Sequence, residues 1–131
     1  MVSLLLITSM FNSIAQKISY KVAFPNAVHH EAKISLTVTG ITQKTAVFRM
    51  SRSSPGRYAT HEFGKNVYDV TASDLQGNKL TIRRIDGDIF EVPDHKGAIN
   101  VTYTLFANYA DGTYAGIDPE SIHFNMPAAF M

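Results

Sequence analysis

Apolar and polar side chains alternate one for one along much of this chain. Residues 18–24, 32–38 and 45–50 each show the period of two that is typical of a strand with one buried face. Pro25-Asn26 and Gly40 follow the first two segments and supply turn-forming residues. The pattern therefore predicts three half-buried strands in the first fifty residues.

The middle of the chain continues the alternation less regularly. Residues 67–72 predict a strand with Tyr68, Val70 and Ala72 on one face, and residues 80–82 begin another short strand. Turn-forming residues separate the two segments. We therefore expect two further strands in this part of the chain.

The last third contains a hairpin signal and the longest alternation. Asp86-Gly87 lies between residues 82–85 and 89–92, and this dipeptide favours a two-residue turn between antiparallel strands. From Ile99 to Ala107 every second residue is apolar. We expect that segment to form the central strand of the core.

These patterns predict an all-β fold, an antiparallel β-sandwich of about seven or eight strands. The strand candidates recur about every 8–15 residues with turn signals between them, as in sandwiches. Only residues 58–66 could hold a helical turn or two. A chain of 131 residues is long enough for one hydrophobic core. We assign residues 17–131 to a single domain.

Composition excludes several function classes. The chain has 12 Lys and Arg against 11 Asp and Glu, scattered rather than clustered, so nucleic acid is not an expected partner. It contains no Cys, which excludes disulfides, thiolate metal sites and a cysteine nucleophile.

The two ends of the chain are apolar. Residues 1–16 carry no charge and end in a small-x-small step at Ser13-Ile14-Ala15, which is typical of a secretory signal and predicts a periplasmic or extracellular location. A buried first strand or helix is the alternative, and the apolar run is too short to span a membrane. The chain stops directly after apolar Ala128-Ala129-Phe130, so we expect it to be truncated from a longer protein.

A Pro-Gly turn interrupts the strand-like sequence at residues 53–58. Pro55 has a fixed φ and Gly56 tolerates a positive one, so the pair predicts the centre of a type II turn. Arg57 and Tyr58 would project just beyond it, with Ser54 at its start.

The segment Ser53-Ser54-Pro55-Gly56-Arg57-Tyr58, followed by Phe63-Gly64-Lys65-Asn66-Val67, resembles a signature of the glycyl aminopeptidase-like zinc metallopeptidases, peptidase family M61. Weaker similarity covers Tyr20 to Asn26, with His30 shortly after, and Phe124-Asn125. The resemblance implies a non-catalytic N-terminal β domain, because the family's zinc site lies in a separate helical domain. It also implies that the catalytic domain is the partner, and that the parent enzyme removes residues such as glycine and alanine from peptide N-termini.

The chain itself lacks the motif of a zinc peptidase. That motif needs two His four residues apart on a helix, with a Glu beside the first. His30-Glu31 is followed by Ile34, and His61-Glu62 by Lys65, so neither has a second ligand. We expect no catalytic activity and no cofactor in this chain alone; zinc is expected in the missing catalytic domain.

Two interpretations of Arg57 and Tyr58 remain open. In the first, the turn formed by Ser54, Pro55 and Gly56 directs both side chains toward the catalytic domain, where they contact the peptide substrate in a shared cleft. In the second, Arg57 pairs with Glu62 or Asp69 inside its own domain, and Tyr58 packs over the open end of the sandwich.

A rival function uses the aromatic residues late in the chain. Exposed rings on a sandwich face are how many binding modules hold their ligands. Phe106 lies on what should be the polar face of the longest strand, so an exposed ring there would mark a patch that a partner covers. The alternative function is therefore a stand-alone carbohydrate- or protein-binding module.

Overall fold

The fold is an antiparallel β-sandwich, as predicted. A computed structural model describes residues 15–109 and 111–131; the predicted signal segment lies outside them except for Ala15 and Gln16. The strands are β1 (Lys17–Asn26), β2 (Glu31–Thr39), β3 (Ala46–Arg49), β4 (Val67–Ser73), β5 (Lys79–Leu80), β6 (Arg83–Asp86), β7 (Ile89–Val92), β8 (Ala98–Phe106), β9 (Gly116–Ile117) and β10 (Ile122–His123). Two 3₁₀ turns, Ala27–His29 and Phe63–Asn66, and a short helix α1 (Met126–Ala129) complete the described elements.

The strands form two main sheets. The larger has the order β1-β2-β8-β4-β5, the smaller has the order β3-β7-β6, and β9 and β10 form a separate pair. All pairings are antiparallel. Seven strands have four residues or more, which confirms the predicted number, and the other three have two residues each. A two-residue strand is too short to show a periodicity in the sequence.

The core is built on the pairing of β2 with β8. These strands remain in register over nine pairs, from Glu31 opposite Phe106 to Thr39 opposite Ala98. Because side chains alternate between faces, this register places the apolar residues of both strands on one side, except for Ala98 and Phe106 at the two ends of β8. Tyr103 lies opposite Ile34, and both are fully buried. The prediction that residues 99–107 form the core strand is confirmed.

The other face of the same two strands is polar. It has three cross-strand hydrogen bonds: Lys33 Nζ to Thr104 Oγ1 at 3.1 Å, Ser35 Oγ with Thr102 Oγ1 at 3.3 Å, and Thr37 Oγ1 to Asn100 Oδ1 at 3.2 Å. Such pairs add stability to the sheet and leave this face hydrated.

The predicted face of β4 is wrong. Tyr68, Val70 and Ala72 were expected together, but Val67 and Ala72 are the buried residues and Tyr68 is exposed. The register with β8 shifts between Tyr68 and Thr71, and Asp69 has a φ of 51°. A bulge of this kind adds a residue to one strand, so side chains beyond it change faces.

The prediction that β1 is half-buried is also wrong. Tyr20 lies opposite Leu36 and Ile18 opposite Val38, so the apolar face of β1 continues the core face of the sheet. However, Ile18 is 54% exposed and Tyr20 is 43% exposed. The smaller sheet does not cover this edge strand, and alternation alone cannot show where the opposite layer ends.

The hairpin signal is confirmed as an antiparallel pair. β6 and β7 are joined by Gly87-Asp88, one residue later than the predicted turn. The register shifts between Arg84 and Asp86, which accounts for the displacement.

The last residues of the chain pack back onto the core. α1 was not predicted; Ala128 and Ala129 are buried, and the Tyr103 hydroxyl donates to the Ala129 carbonyl at 2.8 Å. A single helical turn leaves no periodic signal in the sequence. The centre of β8 therefore holds the C-terminal segment by a buried hydrogen bond.

We expect Tyr103→Phe to destabilise the domain by about 1–2 kcal/mol, because the buried Ala129 carbonyl loses its donor while the ring keeps its packing. Urea unfolding measures this change. Tyr58→Phe is the matched control, since the Tyr58 side chain is fully exposed. Equal midpoints for the two variants would contradict the role given to this hydrogen bond.

A second expectation concerns Glu31. Hydrogen bonds from the Tyr68 hydroxyl and, to a smaller extent, from the Asn26 amide lower the pKa of Glu31. Burial, together with the hydrogen bond to the Glu31 carboxylate, raises the pKa of Tyr68 to about 12. A lowered carboxyl pKa gives stability that is present above the unfolded-state pKa and is lost as the pH falls through the folded-state pKa. Tyr68→Phe should therefore raise the pKa of Glu31 toward its ordinary value and flatten the acid side of the stability curve. Carboxyl NMR titration, with unfolding measured below pH 5, tests this; an unchanged Glu31 titration would contradict it.

Candidate functional site

The Pro-Gly segment forms the predicted type II turn. The Ser54 carbonyl accepts a hydrogen bond from the Arg57 amide at 3.1 Å, and Gly56 has a φ of 76°. A positive φ at the third residue defines this turn type and favours glycine. The turn reverses the chain so that Arg57 and Tyr58 lie directly after it.

A side chain from the C-terminal segment anchors the turn. Ser54 is only 6% exposed, and its hydroxyl accepts from Asn125 Nδ2 at 2.9 Å. The same Asn125 nitrogen donates to the Thr113 carbonyl at 2.5 Å. The structure thus joins the Pro-Gly segment and the Phe124-Asn125 element, two parts of the family resemblance that are far apart in sequence.

Backbone hydrogen bonds close the loop on both sides of the turn. The His61 amide donates to the Arg52 carbonyl at 2.8 Å, and the Met50 amide donates to the Asp88 carbonyl at 2.9 Å. The first bond closes the loop on itself, and the second ties its start to the turn between β6 and β7 of the smaller sheet. This closure fixes the direction in which the turn points.

A stack of rings lies under the loop. Phe63 is fully buried, His61 stacks on it at 4.9 Å, and Tyr114 meets its edge at 5.0 Å. Tyr109 in turn stacks on Tyr114 at 4.4 Å. These geometries are the favourable ones for aromatic pairs. The sequence places these rings in two distant segments, residues 61–63 and 109–114, and no local pattern relates the two.

Arg57 and Tyr58 make few contacts within the domain. Tyr58 has a relative exposure of 107%, so it does not pack over the sandwich. Among the described residues the one ion pair is Arg49 with Asp88 at 3.9 Å, so the predicted pairing of Arg57 with Glu62 or Asp69 is not observed. The intradomain interpretation is wrong on both points. A contact with a second domain or with substrate stays a prediction.

The positive charge of Arg57 affects the pKa of Asp111. The amides of Thr113 and Tyr114 lower the pKa of Asp111, and the positive charge of Arg57 adds to that effect. Asp111 therefore remains ionised and holds the segment that supports the turn.

Phe106 lies at a different position, at the end of β8. It is 38% exposed, and its aromatic neighbour is His30, edge to face at 6.3 Å. His30 has a φ of 62°, and its Nδ1 lies 2.6 Å from the Ile117 carbonyl. The structure does not group Phe106 with a ring of the Pro-Gly loop.

The histidines do not form a zinc site. In the part of the chain that the structure describes, no three His, Asp or Glu side chains are close enough to share a metal ion. The histidines of His30-Glu31 and His61-Glu62 make other contacts: His30 with the Ile117 carbonyl and His61 with the Phe63 ring. These residues do not fit the zinc that the resemblance implies for a separate domain. No helix within residues 15–109 and 111–131 has the length and hydropathy to cross a membrane.

Comparisons with known proteins found a similar solved structure and a matching family model. No curated protein matches the chain. A crystal structure of an aminopeptidase N family protein from Idiomarina loihiensis is similar in fold, with a TM-score of 0.72 and 20% identity. That match covers 78% of this chain and 17% of the other, so this chain spans less than a fifth of that relative.

The family model of the peptidase M61 N-terminal domain matches residues 19–131, which include the turn, its Asn125 anchor and both main sheets. The match covers most of the chain and confirms the resemblance carried by the Pro-Gly segment. The chain belongs to the peptidase M61 N-terminal domain family.

Proposed function

We propose that this chain is a non-catalytic accessory domain that packs against the zinc-dependent catalytic domain of an M61 aminopeptidase and forms part of the wall of its substrate cleft. The observation that carries the proposal is the Pro-Gly turn: a loop anchored through Ser54 and Asn125 presents Tyr58 fully exposed, beside Arg57. The catalytic zinc and the secretory location belong to the same proposal.

The construction of the loop supports a binding role. A large exposed aromatic ring on a mobile loop loses entropy when it binds, whereas a ring on a fixed loop loses less. Here the loop is closed by backbone hydrogen bonds, and its turn is held by a half-buried Asn125. Arg57 and Tyr58 are therefore oriented before any partner arrives.

The chemistry of the two side chains fits a peptide-binding cleft. A guanidinium can donate two hydrogen bonds to a carboxylate or to backbone carbonyls, and a phenol can donate one more. Neither group can hydrolyse a peptide bond. Their role in this proposal is to bind and orient substrate or to pair with the catalytic domain.

Arg57→Ala tests the proposal in the longer peptidase. We expect kcat/KM for peptide hydrolysis to fall about 10- to 100-fold, the size of one lost charge-assisted hydrogen bond. The melting temperature should not change, because Arg57 is exposed and has no ion pair among the described residues. The matched control is Arg83→Ala, an exposed arginine on β6. Full activity of Arg57→Ala, or equal loss in the control, would exclude the proposed role.

Asn125→Ala tests the anchor itself in the 131-residue chain. The substitution leaves the buried Ser54 hydroxyl and the Thr113 carbonyl without their donor, which should cost about 1–2 kcal/mol of stability. Proteolysis at Arg57 should also become faster, because the turn is released. Asn108→Ala, at an exposed asparagine, serves as control. If trypsin cuts both variants at Arg57 equally fast, the anchor has no such function.

A further inference from the structure

The sandwich is open on one side. β1 is the edge of the larger sheet and β3 is the edge of the smaller one. On the opposite side, Thr81-Ile82 connects β5 to β6, so the chain itself passes from one sheet to the other. A groove of about 430 Å³ lies between the sheets, lined by residues of β1, β2 and β3.

The groove is mostly apolar and is open to solvent. Its floor includes Leu36 and Phe48 of the core, and its rim includes Ile18 at 54% exposure and Tyr20 at 43% exposure. Lys17 and Lys21 belong to the other face of β1, since alternate residues of a strand point to opposite faces. A continuous apolar strip of this kind on a small domain marks a contact surface.

The same side has an unpaired strand edge. Among the described residues, β1 pairs with β2 only, so one edge of a ten-residue strand has free amides and carbonyls. A free edge of this length is a template for pairing with another strand. A strand added there would lie about 4.8 Å from β1, and alternate side chains would point into the groove.

We propose that an extended, apolar segment of the catalytic domain of the same polypeptide pairs with the free edge of β1 and fills the groove with alternate side chains. This inference rests on the proposed function and specifies which surface meets the catalytic domain. The partner strand would have apolar residues at every second position and would extend the larger sheet by one strand.

The position of the C-terminal segment supports the catalytic domain as the source of this strand. Met131 lines the groove, and its carbonyl accepts from the Tyr20 hydroxyl at 2.5 Å. In a peptidase in which more chain follows Met131, that chain emerges at the groove. A domain tethered there has a high effective concentration, so pairing within the polypeptide is favoured over pairing with a second molecule.

The groove is also close to the Pro-Gly turn. Asn125, which anchors the turn, directly precedes α1, and Met131 lies two residues after its end. A helix of four residues is about 6 Å long. Met126, at the start of α1, is 63% exposed. One partner surface can therefore cover Tyr58, α1 and the groove together.

Hydrogen exchange of the 131-residue chain and of the longer peptidase tests the inference. We expect amides of β1 to exchange at least tenfold more slowly in the longer protein. Ile18→Lys in the longer protein should restore fast exchange in β1 and leave β8 protected. Ile18 is exposed in the 131-residue chain, so the domain should still fold. The matched control is Leu75→Lys, at 54% exposure in the turn after β4.

The possible outcomes separate this inference from the proposed function. If residues 54–61 exchange more slowly in the longer peptidase but β1 does not, the inference about β1 is overturned and the proposed function is kept. If the two proteins exchange equally at all residues, both are overturned. A concentration-dependent dimer of the 131-residue chain, with protection of β1, would assign the edge to a second copy and overturn the inference.

Discussion

The register between β2 and β8 is the constraint on which the rest of the domain depends. Nine consecutive pairs place the apolar side chains of the two central strands on one face, apart from Ala98 and Phe106 at the ends of β8. A shift of β2 by one residue against β8 would turn Ile34 outward and bring Lys33 to the buried face beside Tyr103. The same register directs the Tyr103 hydroxyl toward the Ala129 carbonyl, so it also determines where the C-terminal segment lies. Through that segment it positions Asn125 and the Pro-Gly turn.

The Pro-Gly turn shows how a stable sandwich can present two side chains at a distance from its core. The turn has local geometry that its own residues specify, but its direction comes from Asn125, 71 residues away in sequence. The ring stack of His61, Phe63 and Tyr114 supports the loop from below. Arg57 and Tyr58 on this support are the exposed side chains that the proposed function assigns to binding.

Two surfaces of this domain expose large apolar side chains to solvent. One is the turn with Tyr58, and the other is the apolar face of β1. They lie at the two ends of α1, which is short enough for a single partner to contact both. Removal of apolar surface from water contributes about 25 cal/mol per Å², from which the entropic and desolvation costs of association are subtracted. The proposed catalytic domain would account for both surfaces with one contact.

The sequence alone determined the all-β class, the central strand at residues 99–107, the antiparallel hairpin, the type II turn and the family resemblance. Each depends on side chains that are near one another in the chain: alternation, turn-forming dipeptides and a short motif. Only the tertiary structure decided that β1 is uncovered, that β4 changes faces at Asp69, and that Asn125 holds Ser54. The extent of the opposite sheet, the position of a bulge and the partner of a buried hydroxyl depend on residues distant in sequence. No local pattern contains that information.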